Sequence, residues 1–141
     1  MMNAPARIDR VFLDTNVLVY LISTDARKAA IVETLLRETG QLRSISTQVL
    51  NEFVNVARKR TPLGWPDIRY LLGTFREACA VEQIQEMDIE LAITIAQSHR
   101  YAWYDCLIIA VAIRCGATVL LTEDLQHGQT IGRLTIRNPF L

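Results

Sequence analysis

The segment Val11-Phe12-Leu13-Asp14-Thr15-Asn16 places a carboxylate directly after a short apolar run, which predicts a buried strand that ends at an acid. The same arrangement recurs in Val119-Leu120-Leu121-Thr122-Glu123-Asp124. In open parallel sheets, ligands bind beyond the carboxyl ends of strands, where the strand order reverses. We therefore expect Asp14 and Asp124 to lie close together if their strands are neighbours, a relation that sequence alone does not establish.

Predicted strands alternate with predicted helices, which is typical of a parallel sheet covered by helices on both faces. The fold class is therefore α/β, with a central mainly parallel sheet of four to five strands in a single domain, 1–141. Asp88 is predicted as the N-cap of the fifth helix. The strands are predicted at 8–13, 42–46, 80–84, 118–122 and, as a short fifth strand, 133–137. The helices are predicted at 16–21, 26–39, 47–58, from 65 onward, 88–100 and 104–115. The last of these is predicted to be buried, because it is apolar without interruption from Cys106 to Ile113.

The composition is that of a globular protein: 50% of the 141 residues are hydrophobic, 21% are charged, and the net charge is zero. A zero net charge does not by itself indicate a nucleic-acid binder. No apolar stretch approaches the roughly 18 residues that span a bilayer, and residues 1–10 lack the apolar core of a signal peptide. We expect a cytoplasmic protein with no membrane association. Its cysteines form no Cys-x-x-Cys pair and are expected to be reduced.

Four acidic residues stand apart in the chain, at strand ends or on helices that a parallel sheet can bring to one place. They are Asp14, Glu52, Asp105 and Asp124. Two carboxylates about 5 Å apart repel each other by roughly 3 kcal/mol at an effective dielectric constant near 20. A fold gains no stability from such a cluster, so a cluster of these acids would indicate a site for a divalent metal ion.

Each acid also has an ordinary structural interpretation. Asp14 and Asp105 stand at the starts of predicted helices, where a carboxylate commonly caps the backbone. Glu52 lies near the edge of the apolar face of its helix, where a solvated glutamate is the usual residue. Asp124 follows the equally acidic Glu123, and the spacing does not choose between the two.

Four segments match, in order, the acidic segments of one known family. Together they resemble the PIN-domain ribonucleases, and specifically the VapC-type toxins of type II toxin–antitoxin systems, over nearly the full length of the chain. Each segment carries one of the four acids, and the family pattern favours Asp124 over Glu123. The segments are Phe12–Tyr20, Ser46–Phe53, Tyr104–Ala110 and Leu120–Gly128.

The resemblance implies a metal-dependent endoribonuclease, built as a three-layer α/β/α sandwich, that leaves a 3′-hydroxyl and a 5′-phosphate. Asp14, Asp105 and Asp124 would hold one or two Mg²⁺ or Mn²⁺ ions, for which carboxylate oxygens are suitable ligands. Glu52 would complete this set of ligands or orient the attacking water. RNA would be the substrate, an antitoxin protein would block the acidic groove, and the toxin would form a homodimer.

Neighbouring polar and basic side chains are expected to have supporting roles. Thr15, Asn16 and Thr122 would hydrogen-bond the phosphate or a water molecule at the site. Arg58 and Lys59 belong to the densest basic run of the chain and would guide the RNA backbone. The predicted site thus combines an acidic centre with neutral hydrogen-bonding groups, and the sequence leaves open where Arg58 and Lys59 lie relative to it.

Two other classes of protein place acids at strand ends. A metal-dependent DNA nuclease or phosphatase would use the same carboxylates, but a haloacid-dehalogenase-type phosphatase would have an aspartate where Asn16 stands. A non-catalytic acidic-pocket module, such as a receiver-like signalling domain, would need paired acids after the first strand and a late lysine. Asp14 stands alone, and no lysine follows Lys59. The ribonuclease interpretation is preferred, and a cleavage assay must choose between RNA and DNA.

Overall fold

The computed structural model describes residues 9–141, so Ile8, the predicted first residue of the first strand, lies outside the described residues. Within them, strands and helices alternate as expected. The strands are β1 (Asp9–Leu13), β2 (Gln41–Ser46), β3 (Ala80–Glu82), β4 (Val119–Leu121), β5 (Thr130–Ile131) and β6 (Leu134–Arg137). The helices are α1 (Thr15–Val19), α2 (Ala26–Arg37), α3 (Thr47–Arg60), α4 (Trp65–Ala78), α5 (Glu86–Ser98) and α6 (Trp103–Arg114), and a 3-10 turn, Tyr20–Ile22, follows α1.

One sheet joins the described strands in the order β3-β2-β1-β4-β6-β5. All pairings are parallel except that of β5 with β6. The order reverses between β1 and β4, because the chain runs from β1 through β2 to β3 on one side and places β4 on the other. This order confirms the mainly parallel α/β architecture. It also makes β1 and β4 the neighbours on which the predicted site depends.

The sheet contains, among the described residues, one strand more than the predicted maximum. β5 has only two residues and pairs with β6 in a tight hairpin, in which Gly132 adopts a positive φ of 59°. A strand of two residues has too few side chains to show the period-two alternation that identifies strands. The sequence pattern therefore does not reveal it.

α6 is buried on nearly all sides, as its uninterrupted apolar run predicts. The residues from Cys106 to Ala112 are all buried, and α6 packs against α5 and β2. This packing holds the first turn of α6, which carries Asp105, in a defined position. The buried apolar side chains of the helices and the sheet form one core. Among residues 9–141, no helix combines the length and the apolarity needed to cross a bilayer.

Asp88 was predicted to be the N-cap of α5, but it is the third residue of that helix. Its carboxylate accepts a hydrogen bond at 2.8 Å from the backbone N–H of Gln85, the actual N-cap. Its other oxygen lies 2.5 Å from Nε of Arg114, so a largely buried ion pair joins α5 to α6. An acid at either position satisfies a backbone N–H of the first turn, so the two placements look alike in sequence.

Candidate metal centre

The carboxyl ends of β1 and β4 meet, and they bring Asp14 and Thr122 side by side. Leu13 pairs with Leu121 across the two strands, and the backbone N–H of Asp14 donates to the carbonyl oxygen of Leu121 at 3.0 Å. The Thr122 hydroxyl donates to Oδ2 of Asp14, also at 3.0 Å. The neighbour relation that sequence alone left open is therefore present, and it joins the two strand-end segments at one site.

Asp14 both caps α1 and belongs to the acidic cluster. As the N-cap of α1, it accepts the backbone N–H of Thr15 on Oδ1 at 2.7 Å. Only 5% of Asp14 is exposed. The capping interpretation and the metal-site interpretation are compatible, because a carboxylate has about four lone-pair positions and the cap uses one of them.

Three carboxylates converge on one point and are called here the acidic triad: Asp14, Asp105 and Asp124. One carboxylate oxygen of each lies within 4.8 Å of the corresponding oxygens of the other two. Asp105 is the third residue of α6 rather than its N-cap, which is Ala102, so the alternative capping role of Asp105 is not observed. The partial positive charge at the start of a helix favours a carboxylate in this first turn.

Asn16 connects members of the acidic triad through its side-chain amide. Its Nδ2 lies 3.2 Å from Oδ2 of Asp14, 3.0 Å from Oγ1 of Thr122 and 2.9 Å from Oδ2 of Asp124. Its Oδ1 accepts the backbone N–H of Glu123 at 3.3 Å. A neutral donor between two acids reduces their repulsion without adding a counter-charge. The acids therefore retain their attraction for a cation.

Glu52 lies beside the acidic triad without being one of its members. Its Oε2 accepts the Thr15 hydroxyl at 2.9 Å, and its Oε1 accepts Nε2 of Gln48 at 2.6 Å. β2 leads directly into α3 with Ser46 as the N-cap, so no loop separates the strand from the helix that carries Glu52. All four predicted acids thus line one cleft, three as the triad and Glu52 next to them.

Glu123 and Asp124 are neighbours in sequence, but their side chains have different partners. Glu123 accepts a hydrogen bond from the Tyr20 hydroxyl and forms an ion pair with Lys28, with Nζ and Oε2 2.9 Å apart. Asp124 contributes its carboxylate to the acidic triad, and its backbone N–H donates to Oγ1 of Thr122. The geometry favours Asp124 as the fourth acid, whereas Glu123 connects its own loop to α2 through the ion pair with Lys28.

The acids line a cleft of about 630 Å³, one wall of which is a single face of α3. The residues on this wall recur at every fourth position, which is the spacing of one helix face. Gln48 and Arg60 belong to the wall but were not assigned to the site from sequence. Their spacing from Glu52, in multiples of four residues, is the feature that could have placed them on the same helix face. Tyr104, next to Asp105, also lines the cleft. The residues of the α3 wall are Gln48, Glu52, Val56 and Arg60.

Arg58 and Lys59, the predicted RNA contacts, are exposed but lie outside the lining of this cleft. The Arg58 guanidinium stacks over the Trp65 ring, 4.3 Å from the ring centroid, and donates to the Leu63 carbonyl oxygen at 3.3 Å. Any contact of Arg58 or Lys59 with RNA would therefore be made beyond the cleft. Of the described basic residues, it is Arg60, at the end of the same run, that lines the cleft.

Burial raises the pKa of Asp14 from 3.8 to about 7. Hydrogen bonds to the carboxylate oppose this shift, and the nearby charges of Asp105 and Glu52 add to it. The pKa of Asp105 is also raised, first by burial and then by the charges of Asp124 and Glu52. The site thus brings like charges together in a partly dehydrated environment.

The set of ligands offered by the acidic triad fits a divalent cation such as Mg²⁺ or Mn²⁺. Mg²⁺ prefers oxygen ligands at about 2.1 Å, so two ligands on opposite sides of the ion lie about 4.2 Å apart. This is the largest separation that two ligands of one ion can have, so the triad oxygens, which lie within 4.8 Å of one another, would move closer together around a bound cation. A bound cation would also offset the repulsion that adds to the pKa shifts of Asp14 and Asp105.

The raised pKa of Asp14 predicts a pH-dependent stability in the absence of metal. Between about pH 4 and pH 7 the folded state retains a proton that the unfolded state has lost. The free energy of unfolding should therefore fall as the pH rises through this range, by at most about 1.4 kcal/mol per pH unit from this group. Urea unfolding in EDTA at several pH values measures the fall. Asp14→Asn should reduce this fall with pH, whereas Asp67→Asn, a control at an exposed position, should leave it unchanged. An equal fall with pH in the wild type and in both variants would contradict the raised pKa of Asp14.

The chain matches a known protein family. The family model described as PIN domain matches residues 11–130, which is most of the chain. No curated protein sequence gives a significant match.

Solved structures match the fold at low sequence identity. VapC20 from Mycobacterium tuberculosis, a toxin that cleaves the sarcin–ricin loop, is 16% identical with a TM-score of 0.60, over 81% of this chain and 89% of the matched chain. VapBC2 from Rickettsia felis, bound to a DNA fragment from its promoter, is 20% identical with a TM-score of 0.67, over 92% and 98%. A toxin–antitoxin complex from Klebsiella pneumoniae is 18% identical with a TM-score of 0.67, over 92% and 97%. Such identities show a shared fold, and together with the match to the family model they establish that the chain belongs to the PIN domain family.

Proposed function

We propose that this chain is a metal-dependent endoribonuclease and the VapC-type toxin of a toxin–antitoxin pair. The acidic triad carries the proposal, because it unites carboxylates from three separate elements with oxygens within 4.8 Å of one another. Holding these like charges together costs folding free energy, which a bound Mg²⁺ or Mn²⁺ ion would offset. The resemblance of the four acidic segments to VapC-type toxins supports the same function.

In this proposal, Asp14, Asp105 and Asp124 hold one or two cations at the carboxyl ends of β1 and β4. The cation, when bound, stabilises negative charge on the reacting phosphate and on the leaving oxygen. Glu52 orients the attacking water and accepts its proton, since its carboxylate lies beside the triad and is held there by neutral donors. Hydrolysis then leaves a 3′-hydroxyl and a 5′-phosphate.

The neutral residues around the acids have a supporting role in the proposal. Thr15, Asn16 and Thr122 donate hydrogen bonds to the carboxylates. We therefore assign them first to holding the acids in place. Thr15 and Asn16 also line the cleft, so we propose that they contact the phosphate or a water molecule as well. Thr122 is fully buried and does not line the cleft, so its predicted contact with the phosphate or a water molecule is not supported.

RNA is the proposed substrate because of the resemblance to VapC-type toxins, and the cleft also carries groups that bind an unpaired polynucleotide. Arg60 lines the cleft and can pair with a phosphate, and Tyr104 lines it with 67% of its surface exposed. An exposed aromatic ring stacks favourably on an unpaired base. Arg58 and Lys59 would guide the RNA backbone where it leaves the cleft.

An antitoxin protein is the proposed partner. The matched Rickettsia felis and Klebsiella pneumoniae structures are toxin–antitoxin assemblies, and this chain shares their fold over 92% of its length. By analogy, we propose that a cognate antitoxin covers the acidic cleft of this chain. A homodimer and a cytoplasmic site of action are proposed on the same resemblance.

The proposed activity predicts that the purified protein cleaves a mixed RNA pool with Mg²⁺ or Mn²⁺ and that EDTA abolishes cleavage. Asp14→Asn should lower the rate at least about 100-fold, because it removes one of the three carboxylates that would hold the cation. Glu123→Gln is the matched control, since this acid pairs with Lys28, and it should keep most of the activity. DNA of the same sequences is incubated in parallel. Cleavage of DNA alone, or cleavage that resists EDTA, would contradict the proposal.

The acidic triad also predicts stabilisation by metal at about pH 8, where Asp14 is ionised. At tenfold excess over its dissociation constant, Mg²⁺ or Mn²⁺ should stabilise the folded state by about 1.4 kcal/mol, and the melting temperature should rise by a few degrees. Asp124→Asn should reduce this rise and Glu123→Gln should preserve it. A rise that is lost in Glu123→Gln and kept in Asp124→Asn would show that the fourth acid is wrongly assigned. Thermal unfolding followed by circular dichroism measures the rise.

The toxin role makes a separate prediction in living cells. Induced expression of the chain in a bacterial host should arrest growth, and Asp14→Asn, expressed at the same level, should not, because it lacks a complete triad. Culture density and immunoblots measure growth and expression. Normal growth of cells that contain soluble protein with nuclease activity in their extract would exclude the toxin role and leave the nuclease proposal intact.

A further inference from the structure

Gln48 is a buried polar residue in the cleft, and only 7% of it is exposed. It lies on α3 one turn before Glu52. Its Nε2 contacts Oε1 of Glu52 at 2.6 Å and the backbone carbonyl oxygen of Tyr104 at 3.2 Å. Its own Oε1 is buried and has no hydrogen-bond partner among residues 9–141. The amide nitrogen of Gln48 therefore donates to Glu52 and to Tyr104, while its amide oxygen accepts no hydrogen bond from the described residues.

The two contacts determine the orientation of the Gln48 amide. Both partners are acceptors, a carboxylate and a backbone carbonyl, so the amide nitrogen must face them. Turning the amide over would place Oε1 against the Glu52 carboxylate. The unsatisfied Oε1 follows from this orientation, and a buried acceptor without a donor costs folding free energy. Stability alone therefore does not account for a glutamine at this position.

We propose that Gln48 is a positioning residue for the reaction, which holds Glu52 at a set place relative to Asp105. Its amide joins the Glu52 carboxylate on α3 to Tyr104 in the first turn of α6, and Asp105 is the next residue in that turn. Thr15 holds the other oxygen of Glu52, so neutral donors bind both carboxylate oxygens. Glu52, which orients the water, is thereby held at a fixed position relative to Asp105, which holds the cation. This inference rests on the proposed nuclease function.

A purely structural role for Gln48 predicts a different outcome. If the amide only joined α3 to α6, its loss would lower stability and would affect the binding of metal, the binding of RNA and the cleavage rate together. If it positions Glu52, its loss should lower kcat selectively. The positions of the triad oxygens, and hence the affinity for metal, do not depend on a direct contact with Gln48.

The test compares Gln48→Met with wild type, because methionine keeps the length of the side chain and removes both donors together with the unsatisfied acceptor. We expect kcat to fall about 10- to 100-fold, as is usual when a partner of an active-site ligand is lost. The KM for an RNA oligomer and the affinity for Mn²⁺ should stay within about twofold. The urea midpoint should change little, because the loss of two donated hydrogen bonds is offset by removal of the unsatisfied acceptor. Gln97→Met, the same change at an exposed position on α5, is the matched control and should behave as wild type.

A double-mutant cycle tests whether Gln48 acts through Glu52. In a Glu52→Gln background, Gln48→Met should lower kcat by less than about twofold further, because the group that it positions is already absent. An unchanged kcat in Gln48→Met, or the same fold loss in both backgrounds, would overturn the inference. If Gln48→Met does not fold, Gln48→Leu replaces it in the same cycle. Failure of the wild-type protein to cleave any RNA would instead remove the nuclease proposal on which the inference rests.

Discussion

The parallel pairing of β1 with β4 is the constraint on which the rest of the site depends. It brings two segments that lie 108 residues apart in the chain into direct contact, through the hydrogen bond from Thr122 to Asp14. The backbone bond from Asp14 to Leu121 sets the register of this contact. A slip of one residue would turn the side chains of one strand to the opposite face of the sheet. The Asp14–Thr122 contact would then be lost, and with it the place where Asp105 and Asp124 converge.

In the described part of the chain, the clustered acids are supported by neutral donors rather than by basic side chains. A lysine or arginine in contact with the acidic triad would stabilise the metal-free protein but would compete with a cation for the same oxygens. The ion pairs Lys28–Glu123 and Arg114–Asp88 join elements without contacting the acidic triad. The cost of the arrangement is visible in the raised pKa of Asp14, where burial contributes most. The neutral donors to the acids are Thr15, Asn16, Gln48 and Thr122.

The predictions of secondary structure that were confirmed are those that depend on local patterns. The buried helix α6 was predicted from its apolar run, and the α/β alternation from the spacing of apolar segments, since burial imposes these periods on the residues themselves. The prediction for Asp88 was wrong because an acid three residues inside a helix and an acid at the N-cap form equivalent bonds. β5 was missed because two residues carry no period. Of the α3 wall, only Glu52 was predicted. Gln48 and Arg60 look like ordinary polar helix residues in sequence, and only the structure shows that the face they share with Glu52 borders a cleft.

By itself, the sequence determined the order and type of most elements and the positions of the four acidic segments, because local periodicity and strand-end residues record them directly. Only the tertiary structure decided that β1 and β4 are neighbours and that three of the acids converge while Glu52 stands beside them. It also decided that Glu123 turns to Lys28 and Asp124 to the acidic triad. These choices depend on strand order and on side-chain directions between residues far apart in the chain, and no local spacing encodes either.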